Sequence, residues 1–310
     1  MTMVAERIPS DAARIDRSLA PDRRQLIGAA LVVLSTVAIA IVPTFARLAY
    51  DGGSDTLTVI AGRSVATAAI CFVVTAILGR PLAIPRGALA FSLGLGALYA
   101  AHLYGLLGAV TYLPVNMVIL IFFMHPLIIG VAAMCVGRKT VSPLRLGALI
   151  GAAIGLGLAV GFSVDNLSLV GVALAAMAAL IAAAVITCSA LAMRNADSLA
   201  VISYMMLSAA FCLVLLSVAQ NDMQLPVTAG GWLGFGGVAI SHTIGTLTFF
   251  VAIPLLGPVR AAMITNLEPV LGILFAMLIL GERMSPVQAI GIAMVIASIF
   301  AMEMARPAAR

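Results

Sequence analysis

Three histidines and one acid lie deep inside long apolar stretches of this sequence: His102, His125, His242 and Glu268. An ionisable group in such a setting is costly, so it normally faces a partner or a water-filled cavity. Glu268 could therefore carry a proton or bind the amine of a substrate. It could equally accept hydrogen bonds from neighbouring helices where Pro269 interrupts the backbone ladder. Each histidine could likewise bind a ligand or hydrogen-bond to an adjacent helix.

These residues lack the spacing of known catalytic centres. The sequence contains no HExxH or DDxxD motif, no Cys-x-x-Cys pair and no GxxxxGK[ST] phosphate loop. The four cysteines (Cys71, Cys135, Cys188 and Cys212) lie inside apolar stretches, where thiols are usually buried and inert. The sequence therefore predicts a protein that is not an enzyme, holds no metal or cofactor and hydrolyses no ATP.

Aromatic and polar side chains recur around these residues three or four positions apart, a spacing that places them on one face of a helix. Aromatic faces with a few polar tips are the usual lining of a small-molecule site. We therefore expect one substrate-binding cavity, lined from four helices. Its predicted residues are Tyr99 with His102, Phe122 with His125, His242 with Thr246 and Phe249, and Thr265 with Glu268.

Proline directly follows two of these side chains, in the dipeptides His125-Pro126 and Glu268-Pro269. A proline inside a helix removes one backbone hydrogen bond and allows the helix to bend. Two bent helices that face one cavity would form a gate, with Pro126 and Pro269 as its hinges. A static kink with no motion is the alternative.

The elements that position these residues must be membrane helices. Of the 310 residues, 63% are hydrophobic and 9% are charged, and the mean hydropathy is +1.18. Soluble domains are roughly half apolar and about a quarter charged. This composition excludes an ordinary cytosolic enzyme, a nucleic-acid-binding protein and a disordered chain. The sequence predicts an all-α membrane protein.

Ten apolar runs of about 20 residues, the length that crosses a bilayer, are separated by Gly, Pro, Asp, Asn or Arg. Cytoplasmic loops collect Lys and Arg. With the N-terminus inside, all but three of the 17 basic residues (Arg47, Arg63 and Arg283) fall in cytoplasmic segments. Both termini are therefore expected in the cytoplasm. The predicted spans are residues 25–47, 56–78, 87–109, 114–136, 143–162, 169–193, 198–219, 231–253, 258–280 and 286–305.

The two halves of the chain repeat each other. Pro126 is followed by Pro143, and Pro269 by Pro286, at the same interval of 17 residues, and the copies are offset by 143 residues. Five spans per copy is an odd number, so the second copy must cross the bilayer in the opposite direction, as in many transporters with a midplane site. The predicted divisions are an N-terminal tail (1–24), which lacks the apolar core of a signal peptide, two five-helix repeats (25–162 and 163–305) and a C-terminal tail (306–310).

The end of the second copy carries a recognisable motif, Asn-Leu-Glu-Pro-Val at 266–270 and Leu-Gly-Glu-Arg-Met-Ser-Pro-Val-Gln at 280–288. It resembles the closing motif of EamA-type members of the drug/metabolite transporter superfamily, most closely the YddG-type amino-acid exporters of bacterial inner membranes. The resemblance implies a ten-helix carrier built from two inverted five-helix repeats. The first copy has His125 in place of the motif's acid and Arg138-Lys139 in place of Gly-Glu-Arg. This departure argues against a mechanism that needs a symmetric pair of acids.

Motif, repeat and composition together predict a secondary transporter that exports small apolar or aromatic amino acids, or related metabolites, by alternating access. Its partners would be a small-molecule substrate and the lipid bilayer, without nucleic acid, and the monomer would be the functional unit. A cationic drug exporter, with Glu268 binding the cation, is the alternative in the same class. An intramembrane lipid-modifying enzyme and a channel are the alternatives from other classes.

Overall fold

A computed structural model of the chain describes residues 21–113, 115–137, 143–160, 168–194, 196–220, 223–280 and 285–304. The predicted terminal tails lie outside these residues, except for positions 21–24. The described residues form thirteen α-helices and no strand, which confirms the predicted all-α class. In chain order the helices are α1 (Pro21–Ala40), α2 (Val42–Asp51), α3 (Thr56–Ile77), α4 (Arg86–Val110), α5 (Val115–Phe122), α6 (His125–Gly137), α7 (Pro143–Val160), α8 (Leu169–Ala192), α9 (Ser198–Ala219), α10 (Ala229–Leu256), α11 (Pro258–Ile264), α12 (Leu267–Leu280) and α13 (Pro286–Met304).

The helices account for the ten predicted spans. Polar side chains set several helix starts: Asp55, Ser168, Asp197 and Thr228 each accept a hydrogen bond from a backbone N–H in the first turn of the helix that follows. Six helical stretches of the described chain are each long and apolar enough to cross a bilayer: Arg23–Asp51, Thr56–Ile77, Arg86–Val110, Leu169–Ala192, Ser198–Ala219 and Ala229–Leu256. The other four predicted spans correspond to α5 with α6, α7, α11 with α12, and α13.

Three of the spans are interrupted helices. The sequence predicted a bend in two of them, at Pro126 and Pro269, but none in the first span. Helices α1 and α2 meet at Ile41, and Pro43 occupies the first turn of α2. Residues 123–124 separate α5 from α6, and residues 265–266 separate α11 from α12. The first span is also longer than the predicted 25–47. Hydropathy averages composition over several turns, so it does not register the loss of a single backbone hydrogen bond.

The helices pack in pairs that follow the inverted repeat. Helix α3, the second span, packs along α9, the seventh; α7, the fifth, packs along α13, the tenth. Helix α10, the eighth span, packs against α1 and α2, as α4, the third, packs against α8, the sixth. Exchange of the two halves maps these contacts onto one another. Gly155 and Gly291 permit the close approach of α7 and α13, because a Cβ on either residue would meet the backbone of the opposite helix.

Two aspartates, 142 residues apart in the sequence, tie α3 and α9 together at opposite ends of the bundle. Asp55, before α3, accepts hydrogen bonds from the backbone N–H of Thr58 at 2.9 Å and from that of Gln224, after α9, at 3.0 Å. Asp197, before α9, lies 3.7 Å from the guanidinium of Arg80, after α3. We call these contacts the Asp55 clamp and the Asp197 clamp. Burial raises the pKa of Asp55, but the hydrogen bonds outweigh it and hold the pKa below its ordinary value of 3.8.

The largest apolar core fills the end of the bundle that is predicted to face the cytoplasm. It includes Met193 after α8, Met205 in the first half of α9, Ile253 and Leu256 near the end of α10, and Ala261 in α11. All five side chains are buried. Because lipid is as apolar as these side chains, close packing rather than water exclusion holds this end together.

Candidate functional site

A cavity of about 680 Å³ lies between helices of both repeats, large enough for a metabolite-sized ligand. Its wall includes Arg47 near the end of α2 and Gln288 in the first turn of α13, both at the face predicted to be external. Further from that face it is lined by Val185 and Phe249, which also belong to the large apolar core. The cavity therefore reaches one face of the bundle, while the core closes the other.

The nine side chains that the sequence predicted for substrate binding all line this one cavity. Pro269 lines it as well, whereas Pro126 is not among the described lining residues. Contact of these side chains with a substrate stays a prediction. By element they are Tyr99 and His102 on α4, Phe122 at the end of α5, His125 at the start of α6, His242, Thr246 and Phe249 on α10, Thr265 between α11 and α12, and Glu268 in the first turn of α12.

A hydrogen-bond network that joins α3, α4 and α10 fixes the His242 ring. Its Nδ1 lies 3.1 Å from the Thr67 hydroxyl oxygen and its Nε2 lies 3.2 Å from the Tyr99 hydroxyl oxygen. The Thr67 hydroxyl donates to the carbonyl oxygen of Arg63 at 2.8 Å and lies 2.9 Å from the Thr243 hydroxyl. Both ring nitrogens are satisfied when Nδ1–H donates to Thr67 and the Tyr99 hydroxyl donates to Nε2. The imidazole is thereby held in one orientation at the cavity wall.

A row of four rings crosses the cavity wall from α4 to α6. The Tyr99 ring packs edge-on against His102 with centroids 4.8 Å apart, and His102 stacks on Phe122 at 5.9 Å with an interplanar angle of 8°. Phe122 in turn contacts the His125 ring at 5.0 Å. Such ring pairs contribute about 0.5–1.5 kcal/mol beyond their buried area. The row presents a continuous aromatic surface to a ligand.

The first predicted hinge follows a break in its span, and the ring of His125 replaces the backbone bond that is lost there. Pro126 lacks the N–H that would reach the carbonyl oxygen of Phe122, four residues earlier. The Nδ1–H of His125 donates to that oxygen instead, at 3.0 Å. The carbonyl oxygen left without a backbone partner at the break between α5 and α6 is thus hydrogen-bonded by a side chain that also lines the cavity.

The second predicted hinge repeats this arrangement in the other half. Pro269 lacks the N–H that would reach the carbonyl oxygen of Thr265, which accepts from the backbone N–H of Glu268 at 2.8 Å. The sequence spacing predicted that Thr265 and Glu268 share one face of a continuous helix. In the structure they lie on either side of a helix break. The same correction applies to Phe122 and His125. Each pair still lines the cavity, because the break is local.

An arginine and a glutamate side chain line the cavity from α3 and α12. Arg63 lines it, and its buried Nε atom has no hydrogen-bond partner among the described residues. Glu268 lines it from the first turn of α12. The two side chains interact electrostatically, but within the described part of the chain neither forms an ion pair. The Nδ1 atom of His102 and the Oδ1 atom of Asn266, in the break before α12, are also buried without a hydrogen-bond partner among the described residues.

Sequence reasoning missed Arg63, Thr67 and Thr243 as parts of this site. Arg63 was treated only as one of the basic residues that do not follow the orientation rule, although an ionisable group inside a span is itself a signal of function. Thr67 follows Arg63 by four residues and so shares its helix face. Thr243 has no such signal, because it meets Thr67 across 176 positions of sequence.

Comparison with known proteins gives the fold of the chain and a family match for its second half. Residues 169–304, from α8 to the end of α13, match the EamA-like transporter family. A solved crystal structure has the same fold, with a TM-score of 0.78 and 16% sequence identity over 91% of this chain and 98% of the other. No curated protein sequence matches the chain. The all-α bundle is the drug/metabolite transporter fold, and the family match in its second half supports a multi-pass membrane transporter of that type.

Proposed function

We propose that the protein is a secondary transporter that exports small apolar or aromatic amino acids, or closely related metabolites, by alternating access. The observation that carries this proposal is the composition of the central cavity. A row of aromatic and imidazole rings forms one wall, and the polar tips of Thr246, Thr265 and Glu268 lie around it. An apolar surface with a few convergent polar groups suits a small, partly apolar metabolite.

Alternating access is supported by the different states of the two ends of the cavity. The wall reaches Arg47 and Gln288 at one face, while the large apolar core seals the other. With the orientation that the basic residues favour, this is an outward-facing state. The helix breaks before Pro126 and Pro269 are the places at which the spans bend when the seal moves to the other face.

The remaining assignments follow from the resemblance to EamA-type transporters and from the distribution of basic residues along the chain. We place the protein in a bacterial inner membrane with both termini in the cytoplasm, acting as a monomer, without a cofactor, without ATP and without catalysis. The cationic drug exporter is the second candidate, because Glu268 offers an anion to a positively charged ligand. The Arg63 guanidinium in the same cavity disfavours it, since a bound cation would lie close to a like charge.

Uptake into liposomes tests the proposal directly. The purified protein is reconstituted, and entry of labelled amino acids is measured across a panel from alanine to tryptophan, with protein-free liposomes as the blank. We expect saturable uptake of apolar and aromatic amino acids, accelerated by unlabelled amino acid on the opposite side. Linear uptake with no such acceleration would indicate a channel, and transport of quaternary amines but not of amino acids would indicate the drug exporter.

A variant pair separates binding from folding. Phe249→Ala removes a buried ring from the cavity wall, whereas Phe211→Ala removes a ring from α9 that is 68% exposed on the lipid-facing surface. We expect the first variant to weaken uptake of aromatic amino acids and the second to leave it unchanged. Equal losses in both variants would point to packing rather than to substrate contact.

A further inference from the structure

Arg63 is a cation at the cavity wall that the protein itself does not neutralise. Its Nε atom is buried and has no hydrogen-bond partner, and it forms no ion pair within the described residues. One turn further along α3, the buried Thr67 hydroxyl joins this helix to α10, since it lies 3.1 Å from the Nδ1 atom of His242 and 2.9 Å from the Thr243 hydroxyl. Arg63 thus lines the cavity, and within the described part of the chain no acid forms an ion pair with its guanidinium.

An uncompensated guanidinium inside a membrane span calls for an anionic partner. Arginine stays protonated in proteins, so loss of its proton offers no relief. A buried charge is tolerated only where it is paired or well solvated. The planar guanidinium group presents a fork of N–H donors that matches the two oxygens of a carboxylate and makes short, charge-assisted hydrogen bonds with them.

The acid in the same cavity does not take that role. Glu268 lies on α12, interacts with Arg63 electrostatically and yet makes no ion pair with it. Besides Glu268, the side chains that interact electrostatically with the guanidinium include Tyr50 on α2, Tyr99 on α4 and His242 on α10, and the Tyr99 hydroxyl is bonded to the His242 ring. None of these three supplies an anion. The partner of Arg63 is therefore expected to arrive with the ligand.

We propose that Arg63 binds the carboxylate of the transported molecule and that Glu268 binds its ammonium group, so that the site selects zwitterionic α-amino acids over carboxylic acids and amines alone. This inference rests on the proposed function and names its substrate class. The ligand lies between the two charges, which do not reach each other, and its side chain packs on the ring row of Tyr99, His102 and Phe122. Arg63 is then a specificity-determining residue that the nine-residue prediction omitted.

Competition with three molecules that share one ring tests the assignment of the charges. Uptake of labelled L-phenylalanine into proteoliposomes is inhibited with unlabelled L-phenylalanine, with 3-phenylpropionate, which lacks the ammonium group, and with phenethylamine, which lacks the carboxylate. In the wild-type protein both fragments should compete, each more weakly than phenylalanine. Absence of any inhibition by 3-phenylpropionate at concentrations where phenethylamine inhibits would overturn the assignment.

Variants assign each fragment to its own residue. In Arg63→Gln we expect the apparent affinity for phenylalanine to fall at least about 30-fold, the loss typical when a buried charge loses its partner. Inhibition by 3-phenylpropionate should vanish, while inhibition by phenethylamine persists. Glu268→Gln should show the reverse pattern, and Arg63→Lys should recover part of the affinity. Arg86→Gln, at an exposed helix start, is the charge-matched control and should behave as the wild type.

The outcomes separate this inference from the proposed function. If Arg63→Gln transports phenylalanine and responds to 3-phenylpropionate as the wild type does, the carboxylate site is wrong and the amino-acid transporter stands. If the wild type transports no amino acid, the proposed function is wrong. Thermal stabilisation of the detergent-solubilised protein by 3-phenylpropionate then decides the site on its own: stabilisation of the wild type and of Arg86→Gln but not of Arg63→Gln supports it, and equal effects on all three overturn it.

Discussion

Tyr99 makes two separable contributions to the site, and substitution can remove them one at a time. Its ring contacts the His102 ring at 4.8 Å, and its hydroxyl oxygen lies 3.2 Å from the Nε2 atom of His242. Tyr99→Phe removes the hydroxyl and keeps the ring. Tyr99→Ala removes both and opens the end of the aromatic row.

The size of each effect follows from the interaction that is lost. Stacking of a substrate ring on Tyr99 is worth about 0.5–1.5 kcal/mol, or roughly a 2- to 12-fold change in affinity. That term exists only for an aromatic substrate. The hydrogen bond to His242 has a net value of about 0.5–1.5 kcal/mol and acts through the orientation of the imidazole, so its loss affects every substrate alike. Tyr99→Ala should therefore lower the preference for phenylalanine over alanine, whereas Tyr99→Phe should leave that preference unchanged.

The assay is uptake of labelled phenylalanine and labelled alanine into the same proteoliposomes, with kcat/KM measured for each. Phe211→Ala, which removes a lipid-facing ring, provides the control for a general effect of losing an aromatic side chain. A preference in Tyr99→Ala that equals the wild-type value, in protein that elutes as the wild type does, would refute stacking on Tyr99. A preference lowered equally in Tyr99→Phe would show that the hydroxyl, not the ring, carries the selectivity.

Three further predictions follow. Phenylalanine uptake should not respond to an imposed pH gradient, because the position equivalent to Glu268 in the first repeat holds a histidine; accumulation driven by the gradient would contradict this. Cysteines at Arg194 and Gln220, on either side of α9, should react with impermeant reagents only from the cytoplasm and only from outside, respectively. Asp55→Asn should lower the melting temperature near neutral pH. The difference from wild type should shrink as pH falls below 3.8, since a carboxylate with a lowered pKa stabilises the fold only while ionised.

The spans were predictable because their signal is long and redundant. About 20 apolar residues are needed to cross a bilayer, and a polar cap marks where several of the helices begin. Helix α9 has the predicted boundaries, Ser198–Ala219, since Asp197 caps its first turn. Helix α10, by contrast, continues through Pro254 to Leu256, three residues past the predicted end at 253. A proline near a helix end was interpreted as a stop, and the surrounding packing overrides it.

The site residues were predictable where an ionisable side chain falls deep inside an apolar run. Histidines and a glutamate are conspicuous in apolar runs, so their gathering at one cavity could be anticipated from type and spacing. Arg63 stands in an equally apolar run and was overlooked because basic residues had been assigned to the question of orientation. Contacts such as that of Thr67 with Thr243, which join helices of different repeats, depend on the relative positions of those helices. No local pattern encodes those positions.

The Asp55 and Asp197 clamps bear on which part of the molecule stays still. In a carrier with inverted repeats, the second state corresponds to the first with the roles of the halves exchanged. The contacts between α3 and α9 are present at both faces, so that exchange leaves them in place. We therefore expect this helix pair to stay fixed while other helices move. A cross-link between positions 54 and 224, where the Ser54 hydroxyl donates to the Gln224 carbonyl oxygen at 2.7 Å, should leave transport intact. Arg63 lies on α3, in the fixed pair, whereas Glu268 lies on α12, after a helix break. The carboxylate of the substrate would therefore stay in place while its ammonium group moves with α12.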